Sequence, residues 1–96
     1  MSAYWIAHVT VKDAEQYKNY MTLAPLAFKK FNARFLARGE KAVSLEGDAY
    51  IKHVVIEFSD YATAVNCYHS DEYQTAKKQR EHVADAMITI IDGVTT

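Results

Sequence analysis

The chain has 96 residues, the size of a single domain, and half of them are hydrophobic, which excludes an intrinsically disordered protein. Eleven Lys and Arg residues against twelve Asp and Glu residues leave a formal net charge of −1. This balance gives no electrostatic reason to expect nucleic acid or an anionic membrane as a partner. The single cysteine, Cys67, excludes an internal disulfide and a cysteine-based zinc site. We therefore expect one globular domain over residues 1–96.

The amino terminus predicts neither export nor insertion into a membrane. Residues 1–5 lack the basic segment that opens a signal peptide. The uninterrupted apolar runs are much shorter than the roughly 20 residues that cross a bilayer. Together with the single cysteine, these features predict a cytoplasmic protein without a membrane partner.

The first third of the chain predicts a strand followed by a helix. Ala3–Val11 alternates, with one apolar face and one mixed face that carries Tyr4, Ile6, His8 and Thr10. Asp13 is a typical helix N-cap, and apolar residues follow at helical spacing from Tyr17 to Phe31. Pro25 predicts a kink or break near Leu23–Ala24, and Asn32 suits the end of the helix.

The remainder predicts further strands and a pair of helices. Extended segments are expected at Arg34–Arg38 and Val43–Glu46, interrupted around Gly39, and at Tyr50–Phe58 and Met87–Ile91. Ser59 or Asp60 caps one helix. Ser70 begins another, whose apolar stripe includes Arg80.

The order of elements predicts the fold class. Strand, helix, strand, strand, helix pair and strand make a ferredoxin-like βαββαβ sandwich, an α+β fold with a four-stranded antiparallel sheet and the helices on one face. The other face also carries large apolar groups such as Val55. Because such a face needs a second layer, we expect a homodimer.

Several short segments carry a resemblance to a known family. Tyr4–Ala7, Phe35–Gly39, Val55–Phe58 and Tyr68–Gln74, followed by Arg80, resemble the domain-of-unknown-function family 1330, over about Ala3 to Gly93. That family lies in the dimeric α/β-barrel group. The resemblance therefore implies two four-stranded sheets that close a barrel, with the helices outside. It implies no established activity.

Polar residues in unusual places are the candidates for a ligand site. They are Arg38 at a strand end, Glu57 within an apolar strand, Arg80 on a helix stripe, and the tyrosines Tyr20, Tyr68 and Tyr73. In one interpretation, Glu57 pairs with Arg38 or Arg80 in a structural network that tyrosine hydroxyls complete. In the other, the arginines neutralise a small anionic or enolic ligand while Tyr or Glu moves a proton.

A metal site is the weaker alternative, and we expect neither metal nor cofactor. His8 and His53 on neighbouring strands, together with Glu57, approximate a facial triad of two imidazoles and a carboxylate. His69 and His82 are expected on solvated helix surfaces. Cys67 is expected to fill space in the core.

Three hypotheses of function follow. The first is a homodimeric domain that binds a small molecule. The second is a cofactor-independent oxygenase-like or isomerase-like enzyme that acts on a small anionic or aromatic substrate. The third is a structural or regulatory dimer without a ligand. A cavity between the sheet and the helices, lined by Tyr20, Tyr68, Arg38 and Arg80, would favour the first two, and the sequence does not decide between binding and catalysis.

Overall fold

The computed structural model describes residues 1–95, which fold as predicted into a ferredoxin-like α+β sandwich. In chain order the elements are β1 (Ala3–Val11), α1 (Ala14–Lys30), β2 (Arg34–Ala37), β3 (Lys52–Phe58), α2 (Tyr61–His69), α3 (Asp71–Arg80) and β4 (Ala84–Asp92). The strands form one antiparallel sheet in the order β2-β3-β1-β4, and the helices cover one of its faces. Within residues 1–95, no helix combines the length and the apolar character that a bilayer crossing requires.

Trp5 lies at the centre of the core between the sheet and the helices. Its side chain is almost completely buried. Its ring centroid lies 4.9 Å from that of Tyr73, 5.1 Å from Phe28 and 5.8 Å from Tyr68, so it contacts one aromatic ring from each helix. Aromatic pairs at these separations stabilise beyond the burial of their area. Trp5 therefore fixes α1, α2 and α3 to the same strand.

The predicted helix starts are confirmed by side-chain caps. Of the two residues proposed for the start of α2, Asp60 is the cap, and its carboxylate accepts the backbone N–H of Thr63 at 2.7 Å. The Ser70 hydroxyl accepts the N–H of Tyr73 at 3.1 Å and donates to the carbonyl of Cys67 at 2.7 Å. Ser70 therefore ends α2 and begins α3.

Of the kink or break predicted near Leu23–Ala24 from Pro25, the break is wrong. Helix α1 runs without interruption from Ala14 to Lys30, with Pro25 inside it. The proline lies on the exposed side of the helix, while Ala24, Ala27 and Phe28 are buried against the rest of the protein. Water can solvate the carbonyl group that Pro25 leaves without a donor, and the packing of the buried residues keeps the helix continuous.

The extended segment predicted at Val43–Glu46 is also wrong. Residues 38–51 form no regular secondary structure, and Val43 and Leu45 are exposed. Strand β2 lies at the edge of the sheet and ends at Ala37 after a register shift between Phe35 and Ala37, and residues 43–46 do not join the sheet. His82, expected on a helix, instead follows the end of α3 in the left-handed conformation, with φ 70.

Candidate functional site

Arg80 is buried in the last turn of α3, as its position on the apolar stripe predicted. The residue is only 8% exposed, and a guanidinium N–H donates to the Tyr73 hydroxyl at 3.3 Å. The guanidinium carbon lies 5.5 Å from the centre of the Tyr20 ring. Within residues 1–95, Nε of Arg80 has no hydrogen-bond partner and no carboxylate forms an ion pair with the guanidinium. The cation is therefore buried without a counter-charge.

Two tyrosines, Tyr20 and Tyr73, contact the Arg80 guanidinium. The hydroxyls of Tyr20, from α1, and Tyr73, from α3, lie 2.8 Å apart. Burial raises the pKa of Tyr20 above its ordinary value, and the nearby Tyr73 hydroxyl raises it further. Burial acts to lower the pKa of Arg80, and the net rise comes from phenolate charge at Tyr73 and Tyr20 together with hydrogen bonds to them. Phenols carry that charge only at high pH, so it does not offset the burial of the guanidinium at neutral pH. Tyr20 is thus neutral and the arginine is charged at neutral pH.

A cavity of about 400 Å³ opens beside Arg80, bounded by α2, α3 and β4, and we call it the β4 cavity. Its floor is apolar and is made by Ala86, Ile88 and Ile90. Its titratable side chains are Arg80, Lys77 and His69, together with the phenols of Tyr61 and Tyr68. No carboxylate of residues 1–95 lines it, so its charge is positive.

A larger open cavity, of about 740 Å³, also borders Arg80. It is lined by Arg80 and His82 but also by the carboxylates of Asp48, Glu81 and Asp85. Because carboxylates oppose the cationic groups there, this cavity has no preference for an anion. By size alone this cavity would be the better candidate for a ligand site. By charge, the β4 cavity is the better candidate for an anionic ligand.

The predicted pairing of Glu57 with Arg38 or Arg80 is wrong. Glu57 lies on the face of the sheet away from the helices, and its carboxylate accepts a hydrogen bond from Arg34 at 2.8 Å. Arg38 follows the end of β2, and its guanidinium stacks on the Phe35 ring at 4.5 Å. The predicted site residues therefore separate: Tyr20, Tyr68, Tyr73 and Arg80 lie together, while Glu57 and Arg38 lie elsewhere.

The two strand histidines meet, but without the carboxylate. Nδ1 of His8 lies 2.9 Å from Nδ1 of His53, and the two residues are directly opposite in the register of β1 and β3. Glu57 is four residues further along β3, beside Tyr4. Within residues 1–95, no group of three His, Cys, Asp or Glu side chains is placed to hold a metal ion. The His8, His53 and Glu57 triad is therefore not assembled.

Cys67 is a core residue, as expected. Its side chain is completely buried in α2, where its thiol lies 3.9 Å from the carbonyl oxygen of Ala27. Burial raises the pKa of the Cys67 thiol to about 12, and the charge of Glu72 adds to this effect. The thiol is protonated at neutral pH and is not an activated nucleophile.

The sequence of residues 2–94 matches the family described as "Domain of unknown function (DUF1330)". The chain belongs to this family. The resemblance found in the short motifs is thereby confirmed over nearly the whole length. No protein of curated function matches the chain.

Solved structures with the same fold come from several bacteria. A protein of unknown function from Rhodopseudomonas palustris has a TM-score of 0.79 at 16% identity, covering 99% of this chain and 84% of that protein. SnoaB, a cofactor-independent oxygenase from Streptomyces nogalater, has a TM-score of 0.65 at 11% identity, covering 99% of this chain and 95% of SnoaB. A dimeric ferredoxin-like protein of unknown function from Jannaschia has a TM-score of 0.67 at 9% identity, covering 97% of this chain and 100% of that protein. At these identities the similarity establishes the fold alone.

Sequence reasoning missed Lys77 and His69 as parts of the site. Lys77 precedes Arg80 by three residues, which places both on one side of α3, and its ammonium group lies 5.6 Å from the centre of the Tyr68 ring. The i, i+3 spacing of two cations beside a tyrosine was the available signal.

The buried tyrosines predict a loss of stability at alkaline pH. Because the pKa of Tyr20 is raised in the folded state, the unfolded chain releases this proton first, above about pH 10. Stability from this group is complete below that pH and falls as the pH rises further. We expect Tyr20→Phe to make the fall shallower, as measured by urea unfolding from about pH 8 to pH 11. Tyr61→Phe, at an exposed tyrosine, is the control, and equal slopes for the two variants would contradict the assignment.

Proposed function

We propose that this protein is a homodimeric domain that binds a small organic anion with an apolar body in the β4 cavity. The observation that carries the proposal is the burial of Arg80 without a counter-charge. The anionic group of the ligand contacts Arg80, and its apolar part lies on the β4 floor. The ligand class is therefore a carboxylate or enolate of modest size.

The energetics of Arg80 support an anion as the missing component. A guanidinium has five N–H donors, and here one of them donates to Tyr73 while Nε has no partner among residues 1–95. Removing such a cation from water costs several kcal/mol by order of magnitude unless a counter-charge is present. A carboxylate bound across two guanidinium N–H groups supplies both the charge and the acceptors.

The size and lining of the β4 cavity fit the same ligand class. Its volume of about 400 Å³ is within the usual range for small-molecule sites. Ile88 and Ile90 offer apolar surface to a hydrocarbon or aromatic body, while the Lys77 ammonium adds positive charge and the His69 imidazole adds a hydrogen-bonding group. An apolar amine would match only the apolar floor, and a neutral polar molecule would match neither feature.

Binding is favoured over catalysis because neither the Tyr20 phenol nor the Cys67 thiol serves as a base at neutral pH, which leaves the His69 imidazole of the β4 cavity as the base that the enzyme alternative would use. The raised pKa of Tyr20 keeps its proton in place, and the raised pKa of Cys67 does the same for the thiol. The enzyme alternative is a cofactor-independent oxygenase of the kind described for SnoaB. One observation favours it: the Trp5, Tyr68 and Tyr73 rings pack together beside the cavity and could exclude water from an aromatic substrate.

A second copy of the chain is the proposed cover for the sheet face away from the helices, which we call the open face. It carries the apolar side chains of Tyr4, Ile6, Val55, Met87 and Ile91. Met87 and Ile91 are about half exposed in the single chain, at 50% and 52%. Apolar surface of this extent is unusual on a monomer. A symmetric pairing of two open faces buries it without any other partner.

The proposal is tested by ligand binding to purified protein. Native mass spectrometry of protein from its own host reports the subunit count and any small molecule that remains bound. In parallel, thermal unfolding is followed with benzoate and hexanoate and with the matched neutral alcohols. We expect the acids to raise the melting temperature and the alcohols to have little effect, because only the acids supply a counter-charge to Arg80.

Variants locate the binding and separate the alternatives. Arg80→Met should weaken binding of the acids by at least about tenfold, since one charged hydrogen bond contributes about 1.5–3 kcal/mol. Arg38→Met changes an exposed arginine outside the cavity and should bind normally. Equal binding by the two variants would contradict the site, and oxygen consumption with a bound aromatic acid would favour the enzyme alternative.

A further inference from the structure

A row of metal-ligand side chains crosses the open face of the sheet. In the registers of the strands, His8 on β1 lies directly opposite His53 on β3 and directly opposite Met87 on β4. Side chains of directly opposed residues project from the same face with Cβ atoms about 4.5–5.5 Å apart. Two imidazoles and one thioether are therefore adjacent, with His8 in the middle.

The contact between the histidines has a geometry close to that of two imidazole ligands of one metal ion. Their Nδ1 atoms face each other at 2.9 Å, where one nitrogen carries a proton and donates to the other. Metal–imidazole bonds of about 2.0–2.1 Å hold two nitrogens roughly 3.3 Å apart in a tetrahedral site. A shift of a few tenths of an ångström, by rotation of half-buried rings, is enough to admit an ion. The shared proton then moves to Nε2 of the same ring, and both Nδ1 lone pairs face the metal.

The third side chain of the row decides which metal fits. A thioether is a soft, neutral ligand that favours Cu(I), whereas Zn(II) in proteins takes thiolate, imidazole or carboxylate ligands. The Met87 side chain is long and flexible, so its sulfur can turn towards His8 from the directly opposed position. The carboxylate that would favour a harder ion, Glu57, is engaged with Arg34.

We propose that His8, His53 and Met87 form a Cu(I)-binding site on the open face. The site has two nitrogen ligands and one sulfur ligand. All three ligands are neutral, so binding the ion requires no loss of a proton from the protein. It is independent of the β4 cavity, because the row and Arg80 lie on opposite sides of the sheet. It also lies on the surface that a second copy is proposed to cover, so dimer formation would shield the bound ion from water.

The site is tested on untagged protein, because an affinity tag of histidines would itself bind copper. Cu(I) is offered anaerobically under a reductant in competition with bicinchoninate, and the affinity is read from the absorbance of the competitor complex. We expect one Cu(I) per chain. His8→Asn and His53→Asn should each weaken binding by at least about 100-fold, and Met87→Leu by at least about tenfold. X-ray absorption should detect one sulfur scatterer in the native protein and none in Met87→Leu.

Matched controls are present in the same chain. His69→Asn and His82→Asn change histidines outside the row, and Met21→Leu changes an exposed methionine on α1; all three should bind Cu(I) as the native protein does. Zn(II) affinity should not respond to Met87→Leu. A native affinity no higher than that of the His8→Asn variant would overturn the proposal. If that variant does not fold, an unchanged sulfur signal in Met87→Leu overturns it instead.

Discussion

Arg80→Met is expected to raise the free energy of unfolding of the ligand-free protein by roughly 1–2 kcal/mol, although it removes a hydrogen bond. In the native protein, the Arg80 charge is buried with one long contact, to Tyr73 at 3.3 Å, and no carboxylate partner among residues 1–95. Methionine has a similar length and fills the same space without a desolvated charge. The Tyr20 and Tyr73 hydroxyls keep the hydrogen bond that joins them.

The measurement is urea unfolding at neutral pH without ligand, with Arg38→Met as the matched control. Arg38 is exposed, so the control should change the free energy of unfolding by less than about 0.5 kcal/mol. A gain in stability together with a loss of anion binding identifies a residue kept for function at a cost in stability. A fall of more than about 1 kcal/mol would instead assign Arg80 to the structural network that the sequence also allowed.

The burial of Arg80 was predictable, but its neighbours were only partly so. Helical spacing placed Arg80 and Tyr73 on one stripe, and the strand period placed Glu57 on the face opposite to Ile56. Since Ile56 packs towards the helices, the same alternation already implied that Glu57 could not reach Arg80. The wrong pairing of Glu57 was predicted from opposite charges alone, without considering which face of the sheet each residue lies on.

Other features depend on quantities that a sequence does not contain. The β4 cavity exists because α2 and α3 leave space above Ile88 and Ile90, and that separation is set by packing around Trp5. The meeting of His8 with Met87 depends on the register of β1 and β4, and an error of two residues would separate them. The alternation of apolar and polar residues in the sequence predicts which face of the sheet a side chain lies on. Its neighbours on the adjacent strands are known only from the register in the structure.

Ile6→Asp is expected to convert the proposed dimer into a folded monomer. Ile6 lies in the middle strand pair of the open face, directly opposite Val55 on one side and Thr89 on the other. A symmetric interface receives the new carboxylate twice, close to its centre, where water is excluded. Burying each unpaired carboxylate costs about 2 kcal/mol or more of the free energy of dimer formation. The dimer dissociation constant should therefore rise by at least about 100-fold.

Leu26→Asp provides the matched control, because Leu26 is exposed on α1, on the side of the molecule away from the open face. Light scattering and sedimentation over a range of protein concentrations should give a dimer for the native chain and the control, and a monomer for Ile6→Asp. Far-ultraviolet circular dichroism checks that the monomer is folded. Because Arg80 and the β4 cavity belong to a single chain, a folded monomer should still bind benzoate, although the dimer is lost. A native protein that sediments as a monomer at micromolar concentration would overturn the pairing of open faces without affecting the anion site.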